Sequence, residues 1–278
     1  MSQIPHLLSP YVALPSESSL ILLTSVLGAS TNWLVLRYLQ SYLGQNLETL
    51  SIANETEDGT TTKVLLVSLM RDLAFWKDGA RKLGLDLDKL AAKKKFAFID
   101  GLSELYLEPA RPKAGTRSAN AIRGNELENI RNTVKNTLTE LQAGSGKVVL
   151  LIDQLDLLLA TSGDKLNAVA LGDTLVDWRL AAHSTILTLA ADTPLAGGHD
   201  TPLETNHAAL LLSLAHQADL VMSLRLLDTG TARDVSGVCR ITTGDAEGKG
   251  PSEQKAEARE LLYFVGGDSA VRVFERGQ

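Results

Sequence analysis

The sequence predicts an α/β fold, with a mainly parallel sheet flanked by helices and extended at its carboxyl end by antiparallel strands. Three observations carry this. Five short apolar runs, each of strand length, alternate with segments of helical period. From residue 220 onward the alternation stops, and four strand-like runs follow one another between turn signals. A chain of 278 residues also suits a single α/β domain with a sizeable core.

The elements follow in order. Residues 1–19 carry Pro5, Pro10 and Pro15 among serines and read as an irregular lead-in. Residues 20–24 (LILLT) are the first buried strand. After a turn at Gly28, residues 31–43 are helical. Trp33, Leu36, Leu39 and Leu43 recur at spacings of 3, 3 and 4, with Ser30 or Thr31 as cap. Residues 64–69 (VLLVSL) form a second strand, residues 73–92 one or two helices broken near Gly84, and residues 96–99 (FAFI) a third strand. Residues 108–124 read as a flexible loop with Pro109, Pro112, Gly115 and Gly124; beyond Glu108 its charged residues, Arg111, Lys113, Arg117 and Arg123, are all basic.

An amphipathic helix over 126–142 places Leu127, Ile130, Val134, Leu138 and Leu141 at spacings of 3, 4, 4 and 3. Residues 148–152 (VVLLI) form a fourth strand ending at Asp153; residues 169–182 are a helix and 185–189 a fifth strand. Residues 191–200 are a loop containing Pro194 and Gly197-Gly198. Thr201-Pro-Leu-Glu204 then has the capping-box pattern, opening a helix that runs to about 217. Residues 220–227, 237–242, 261–265 and 270–275 are strands, and 244–258 a polar flexible loop.

The hydrophobic fraction of 44% and charged fraction of 22% exclude a disordered or collagenous chain. Against 33 acidic residues stand 27 basic ones, so the net charge is -6. That argues against a general polyanion binder but leaves room for a local basic patch. Cys239 is the single cysteine, so no internal disulfide forms, as suits a reducing compartment. No apolar run approaches the roughly 18 residues of a membrane span, and the first basic residue is Arg37, which argues against a leader. The expected location is cytosol or nucleus.

In an open parallel sheet, ligands bind beyond the carboxyl ends of strands. The turn after the first strand is where a phosphate loop, G-x-x-x-x-G-K-[ST], would lie. The best register runs from Leu23 to Ser30. Gly28 and the Ser30 hydroxyl are in place, but Leu23 stands for the first glycine and Ala29 for the lysine. The same residues suit an ordinary strand–turn–helix with an N-cap. Gly144-Ser-Gly-Lys147 is a decoy, followed by a strand rather than a helix. Asp153, after VVLLI, has the setting of a Walker B acid, which would orient Mg²⁺; a structural strand-end acid reads identically. His207 and His216 fall on opposite sides of one helix, and no His/Cys spacing suits a metal.

Several blocks resemble the Elongator complex protein 6 family: VLLVSLMRDLAFW (64–76), KKFAFIDGLSEL (94–105), VVLLIDQLDLLLA (148–160), LLDTGTARDVSGVCRITTG (226–244) and ELLYFVGGDSAVRVFERG (260–277). The resemblance implies one RecA-like domain over 1–278 with degenerate Walker motifs. It implies a noncatalytic subunit that assembles with Elongator proteins 4 and 5 into a heterohexameric ring. That ring binds tRNA, works with the catalytic Elongator subcomplex, and supports modification of the wobble uridine (U34) in cytoplasm and nucleus. No cofactor of its own is implied, with any ATP lying at ring interfaces. By analogy with RecA-type rings, the loops after the fourth and fifth strands, about 156–167 and 191–200, face the central opening. Their basic candidates are Lys165 and His199, to which the loop residues Arg111, Lys113, Arg117 and Arg123 are added as RNA contacts. The alternative reading is an active RecA- or KaiC-like ATPase.

Overall fold

A computed structural model describes residues 4–48, 61–105, 121–122, 124, 126–197, 200–228, 230, 232–244, 257–267 and 269–275. Nine strands form one sheet: β1 (Leu20–Ser25), β2 (Thr62–Ser68), β3 (Phe96–Asp100), β4 (Lys147–Asp153), β5 (Ser184–Ala190), β6 (Leu220–Arg225), β7 (Gly237–Thr243), β8 (Arg259–Val265) and β9 (Val271–Glu275). Their order is β3-β2-β4-β5-β1-β6-β7-β8-β9. The pairs from β3 to β6 are parallel, and those from β6 to β9 antiparallel. This is the predicted architecture.

The helices are α1 (Ser9–Val12), α2 (Asn32–Glu48), α3 (Leu73–Lys82), α4 (Leu87–Ala92), α5 (Leu127–Gln142), α6 (Leu157–Ser162), α7 (Ala168–Leu180), α8 (Thr193–Gly197) and α9 (Pro202–Gln217). Each parallel strand buries both faces, so alternate residues feed two cores. Leu23, Leu66 and Leu151 face α2, α3 and α4, whereas Leu22, Leu65 and Leu150 face α5, α7 and α9. Helices that carry the chain toward β3 therefore lie on one face, and those that carry it back lie on the other.

Three short helices depart from the sequence reading. The lead-in is not wholly irregular: Pro10 sits in the first turn of α1, and Leu8, Tyr11 and Val12 are buried with the α2 core. α6 and α8 occupy segments read as loops; burial of Leu158 and Leu159 stabilises α6, and both helices are too short for periodicity to reveal. The expected loops at 108–124 and 244–258 lie mostly outside the described residues.

Local signals elsewhere act as their chemistry requires. Thr201 Oγ1 accepts from the Glu204 N–H at 3.2 Å, and the Glu204 carboxylate accepts from the Thr201 N–H at 2.9 Å, closing the capping box. The Gly144–Lys147 decoy is a helix-to-strand turn. The buried Lys63 ammonium donates to the Leu141 carbonyl at 2.7 Å and to that of Gly144 at 3.3 Å, satisfying the carboxyl end of α5. Gly146 has φ +134, and a Cβ there would stand 2.3 Å from the Thr61 carbonyl oxygen. Gly146→Ala is expected to lower stability by at least about 2 kcal/mol in urea unfolding. An unchanged midpoint would show that this turn relaxes freely.

Candidate functional site

Two crevices at the carboxyl ends of the strands are the places to seek a ligand. The loops leaving the adjacent strands β1 and β5 lead to opposite faces of the sheet, and so do those leaving β2 and β4. Such switch points part the chain and open the crevices in which open α/β sheets bind ligands.

At the first crevice, the turn after β1 is closed by a bond from the Ala29 N–H to the Val26 carbonyl at 2.9 Å. Gly28 sits at its third position with φ +91, where a side chain would be strained, and the Leu226 side chain is 3.3 Å from the place of a Cβ. The Leu27 N–H donates to the Asp192 carboxylate at 2.8 Å, and the Ala191 N–H to the Ser25 carbonyl at 2.8 Å. An acid from the loop after β5 thus occupies an amide of this turn. The Ser30 hydroxyl accepts from the Asn32 N–H at 3.2 Å and serves the start of α2. Leu23 and Ala29, which replace the glycine and lysine of a phosphate loop, are buried among core residues.

At the second crevice, Asp153 is 0% exposed. The Ser68 hydroxyl donates to its Oδ2 at 2.9 Å and the Thr188 hydroxyl to its Oδ1 at 3.3 Å. Ser68 Oγ in turn accepts from the Trp76 indole N–H at 3.0 Å and from the Arg71 N–H at 3.2 Å. Thr188 Oγ1 accepts from the Gln154 N–H at 2.8 Å, which holds Gln154 in the left-handed region at φ +58. The Leu69 N–H donates to the Asp153 carbonyl at 3.1 Å. Burial raises the Asp153 carboxyl from its ordinary 3.8 to about 6. The Ser68 and Thr188 hydroxyls and the Arg71 charge pull the other way, and neighbouring Asp156 adds to the rise.

The loops after β4 and β5 are tied by a further buried pair. Asp156 Oδ2 accepts from the Ala190 N–H at 3.2 Å and lies 3.3 Å from His207 Nε2. His207 Nδ1 lies 3.1 Å from the Leu195 carbonyl, which only accepts, so Nδ1 carries a hydrogen. Nε2 therefore faces the Asp156 carboxyl in a buried contact. His207 was legible only as a histidine on an apolar helix, since its partners are 12 and 51 residues away.

The structure does not gather the candidate residues into one site. Gly28 and Ser30 line a cavity of about 460 Å³ with Trp33, Arg37, Lys82 and Tyr263, and Asp153 does not reach it. Lys165 is exposed at the end of a short 3-10 turn before α7. Arg111, Lys113, Arg117, Arg123 and His199 lie outside the described residues. Among the described residues, no group of three His, Cys, Asp or Glu side chains could hold a metal ion, and no helix is long and apolar enough to cross a membrane. The residues around the turn do not fit a triphosphate with Mg²⁺. An acid holds one amide of the turn, the lysine position is a buried alanine, and hydroxyls enclose the strand-end acid.

Comparisons with known proteins bear on the family and the fold. The family model described as Elongation complex protein 6 matches residues 59–265. Human Elongator complex protein 6 is 28% identical over 64% of this chain and 68% of its own length. The Xenopus laevis protein of that name is 25% identical over 77% of this chain and 80% of its own length. A Schizosaccharomyces pombe homolog is 24% identical over 71% of this chain and 73% of its own length. In fold, the chain is similar to a KaiC-like protein from Pyrococcus horikoshii. The TM-score is 0.55 and the identity 13%, with 93% of this chain and 90% of that one covered.

The raised carboxyl predicts a pH dependence. Asp153 ionises more readily unfolded than folded, so its penalty is absent below about pH 4, grows between about 4 and 6, and is complete above about 6. A shift of about two units corresponds to roughly 3 kcal/mol at pH 7. Asp153→Asn should therefore be more stable than the parent at pH 7, by about 1–3 kcal/mol in denaturant titrations, with the gain vanishing near pH 4. A loss of stability at pH 7 that persists at pH 4 would refute this account.

Proposed function

The chain belongs to the Elongation complex protein 6 family, and we propose that it is a noncatalytic RecA-like subunit of the Elongator accessory assembly. In this reading it forms a heterohexameric ring with Elongator proteins 4 and 5. The ring binds tRNA and supports wobble-uridine modification by the catalytic Elongator subcomplex, in cytoplasm and nucleus. The observation that carries the proposal is the family match over residues 59–265 on a RecA-like sheet.

The noncatalytic part of the reading rests on the polar groups already engaged at the two crevices. Without a lysine at position 29, no cation of the turn stands near a transferred phosphate. With Asp153 enclosed by Ser68 and Thr188, its oxygens already serve the fold. Any nucleotide handling then belongs to the assembled ring rather than to this chain alone. RNA contact falls to the exposed Lys165, to Arg111, Lys113, Arg117, Arg123 and His199, and to neighbouring subunits. The net charge of -6 makes a local or shared basic surface necessary.

The decisive experiment mixes the purified chain with Elongator proteins 4 and 5 and measures mass by light scattering. A mixed hexamer is expected, and failure to form one would remove the reading. Steady ATP turnover by the chain alone, abolished by Asp153→Ala, would favour the ATPase alternative instead. Charge reversal of Arg111, Lys113, Arg117 and Arg123 should weaken tRNA binding by the assembled ring at least about tenfold and flatten its salt dependence. Unchanged affinity and slope would exclude this loop from the RNA surface.

A further inference from the structure

α7 is apolar on two opposite sides. Leu171, Leu175 and Trp178 are buried against the sheet. At about 100° per residue, Val169, Val176 and Leu180 fall within about 40° of one another on the far side. They are 73%, 45% and 82% exposed. Leu212 on α9 is 52% exposed but does not line the side of α9 that faces α7. Neighbouring α5 shows the ordinary pattern, with Glu128, Asn132, Lys135, Asn136 and Glu140 outward.

A groove of about 270 Å³ runs between α7 and α9, walled by Val169, Val176, Ala209 and Ser213. Gly172 forms part of its wall, and a Cβ there would meet nothing within 4 Å. A mid-helix glycine costs about 1 kcal/mol relative to alanine. Internal packing does not require this one, and it leaves room for a close approach from outside.

We infer that the outer face of α7, with the adjoining groove to α9, docks an adjacent ring subunit through an aliphatic helix face carrying a lysine or arginine. This rests on the ring reading above and names the surface through which it acts. Charge complementarity selects the occupant. Asp173 is exposed within the stripe, between Val169 and Val176, and has no ion pair among the described residues. The cation on the groove wall, Arg179, is bonded to Gln217 at 2.9 Å. A second copy would bring its own acid-bearing stripe and an equally engaged arginine. A neighbour with a free cation opposite Asp173 satisfies both the apolar stripe and the acid.

The test uses the full chain with Elongator proteins 4 and 5. Leu180→Cys provides a labelling site, because the native Cys239 is buried. Maleimide labelling at position 180 should slow at least tenfold on assembly. Val176→Glu with Leu180→Glu, and separately Gly172→Met, should weaken assembly at least tenfold. Thermal unfolding of the isolated chains confirms that they fold, and Asn132→Glu with Asn136→Glu on α5 should assemble as the parent does. Asp173→Lys should weaken assembly and change its salt dependence.

Labelling that is as fast in the ring as in the free chain overturns the inference while leaving the ring reading intact. Failure of the parent chain to form any mixed assembly overturns both. Self-association of the parent that the α7 substitutions abolish makes the occupant a second copy and also overturns the inference.

Discussion

The carboxyl of Asp153 is the constraint around which this end of the molecule is arranged. A fully buried carboxyl is costly unless its oxygens are bonded, and here each oxygen receives a hydroxyl from a flanking strand. Ser68 comes from β2 and Thr188 from β5, the two neighbours of β4. Each hydroxyl is itself oriented by what it accepts: the Trp76 indole and Arg71 amide at Ser68, and the Gln154 amide at Thr188. The strand ends are thereby fixed relative to one another. The Thr188 bond also fixes the left-handed Gln154 that turns the chain out of β4. The same bonds that position the carboxyl take one acceptor site on each of its oxygens.

At the other crevice a polar group of the turn is engaged in the same way. A phosphate loop keeps several amides unpaired for an anion, supported by a lysine. Here Asp192 supplies a carboxylate to the Leu27 amide, joining the loop after β5 to the turn after β1. Asp156 and His207 then join the loop after β4 to α8 and α9 through Ala190 and Leu195. The loops that hold a ligand in related sheets are held here by one another. A phosphate entering the first crevice would have to displace Asp192 against its charge, with alanine where a balancing lysine is needed.

The sheet was legible because fully buried strands read as unbroken apolar runs. VLLVS and KVVLLID have that form, and each ends at a polar residue where the strand meets the surface. The capping box of α9 and the decoy at Gly144–Lys147 were legible because their bonds are local. What escaped depends on long-range partners. Ser68 and Thr188 lie 85 and 35 residues from Asp153, and neither carries a spacing that marks it. α1, α6 and α8 are four, six and five residues long, too short for a helical period to register. The two-sided character of α7 escaped for the opposite reason. A helix apolar on two opposite sides shows no single preferred face, so its outward stripe emerged only once burial of Leu171, Leu175 and Trp178 had assigned the inner one.

In this RecA-like sheet the strand-end loops are bonded to one another, and its outer surfaces carry the remaining signals. In a subunit that binds and turns over nucleotide, the strand-end loops must stay mobile enough to open and close on it. Bonds between those loops stabilise the fold and remove that freedom, which suits the noncatalytic role proposed above. α5 shows how this sequence treats water, with amides and charges along its outer side. On α7 the same layer places valine and leucine outward around one acid. Water gives no favourable return for that pattern, whereas a neighbour that covers the aliphatic stripe and pairs the acid accounts for both parts of it.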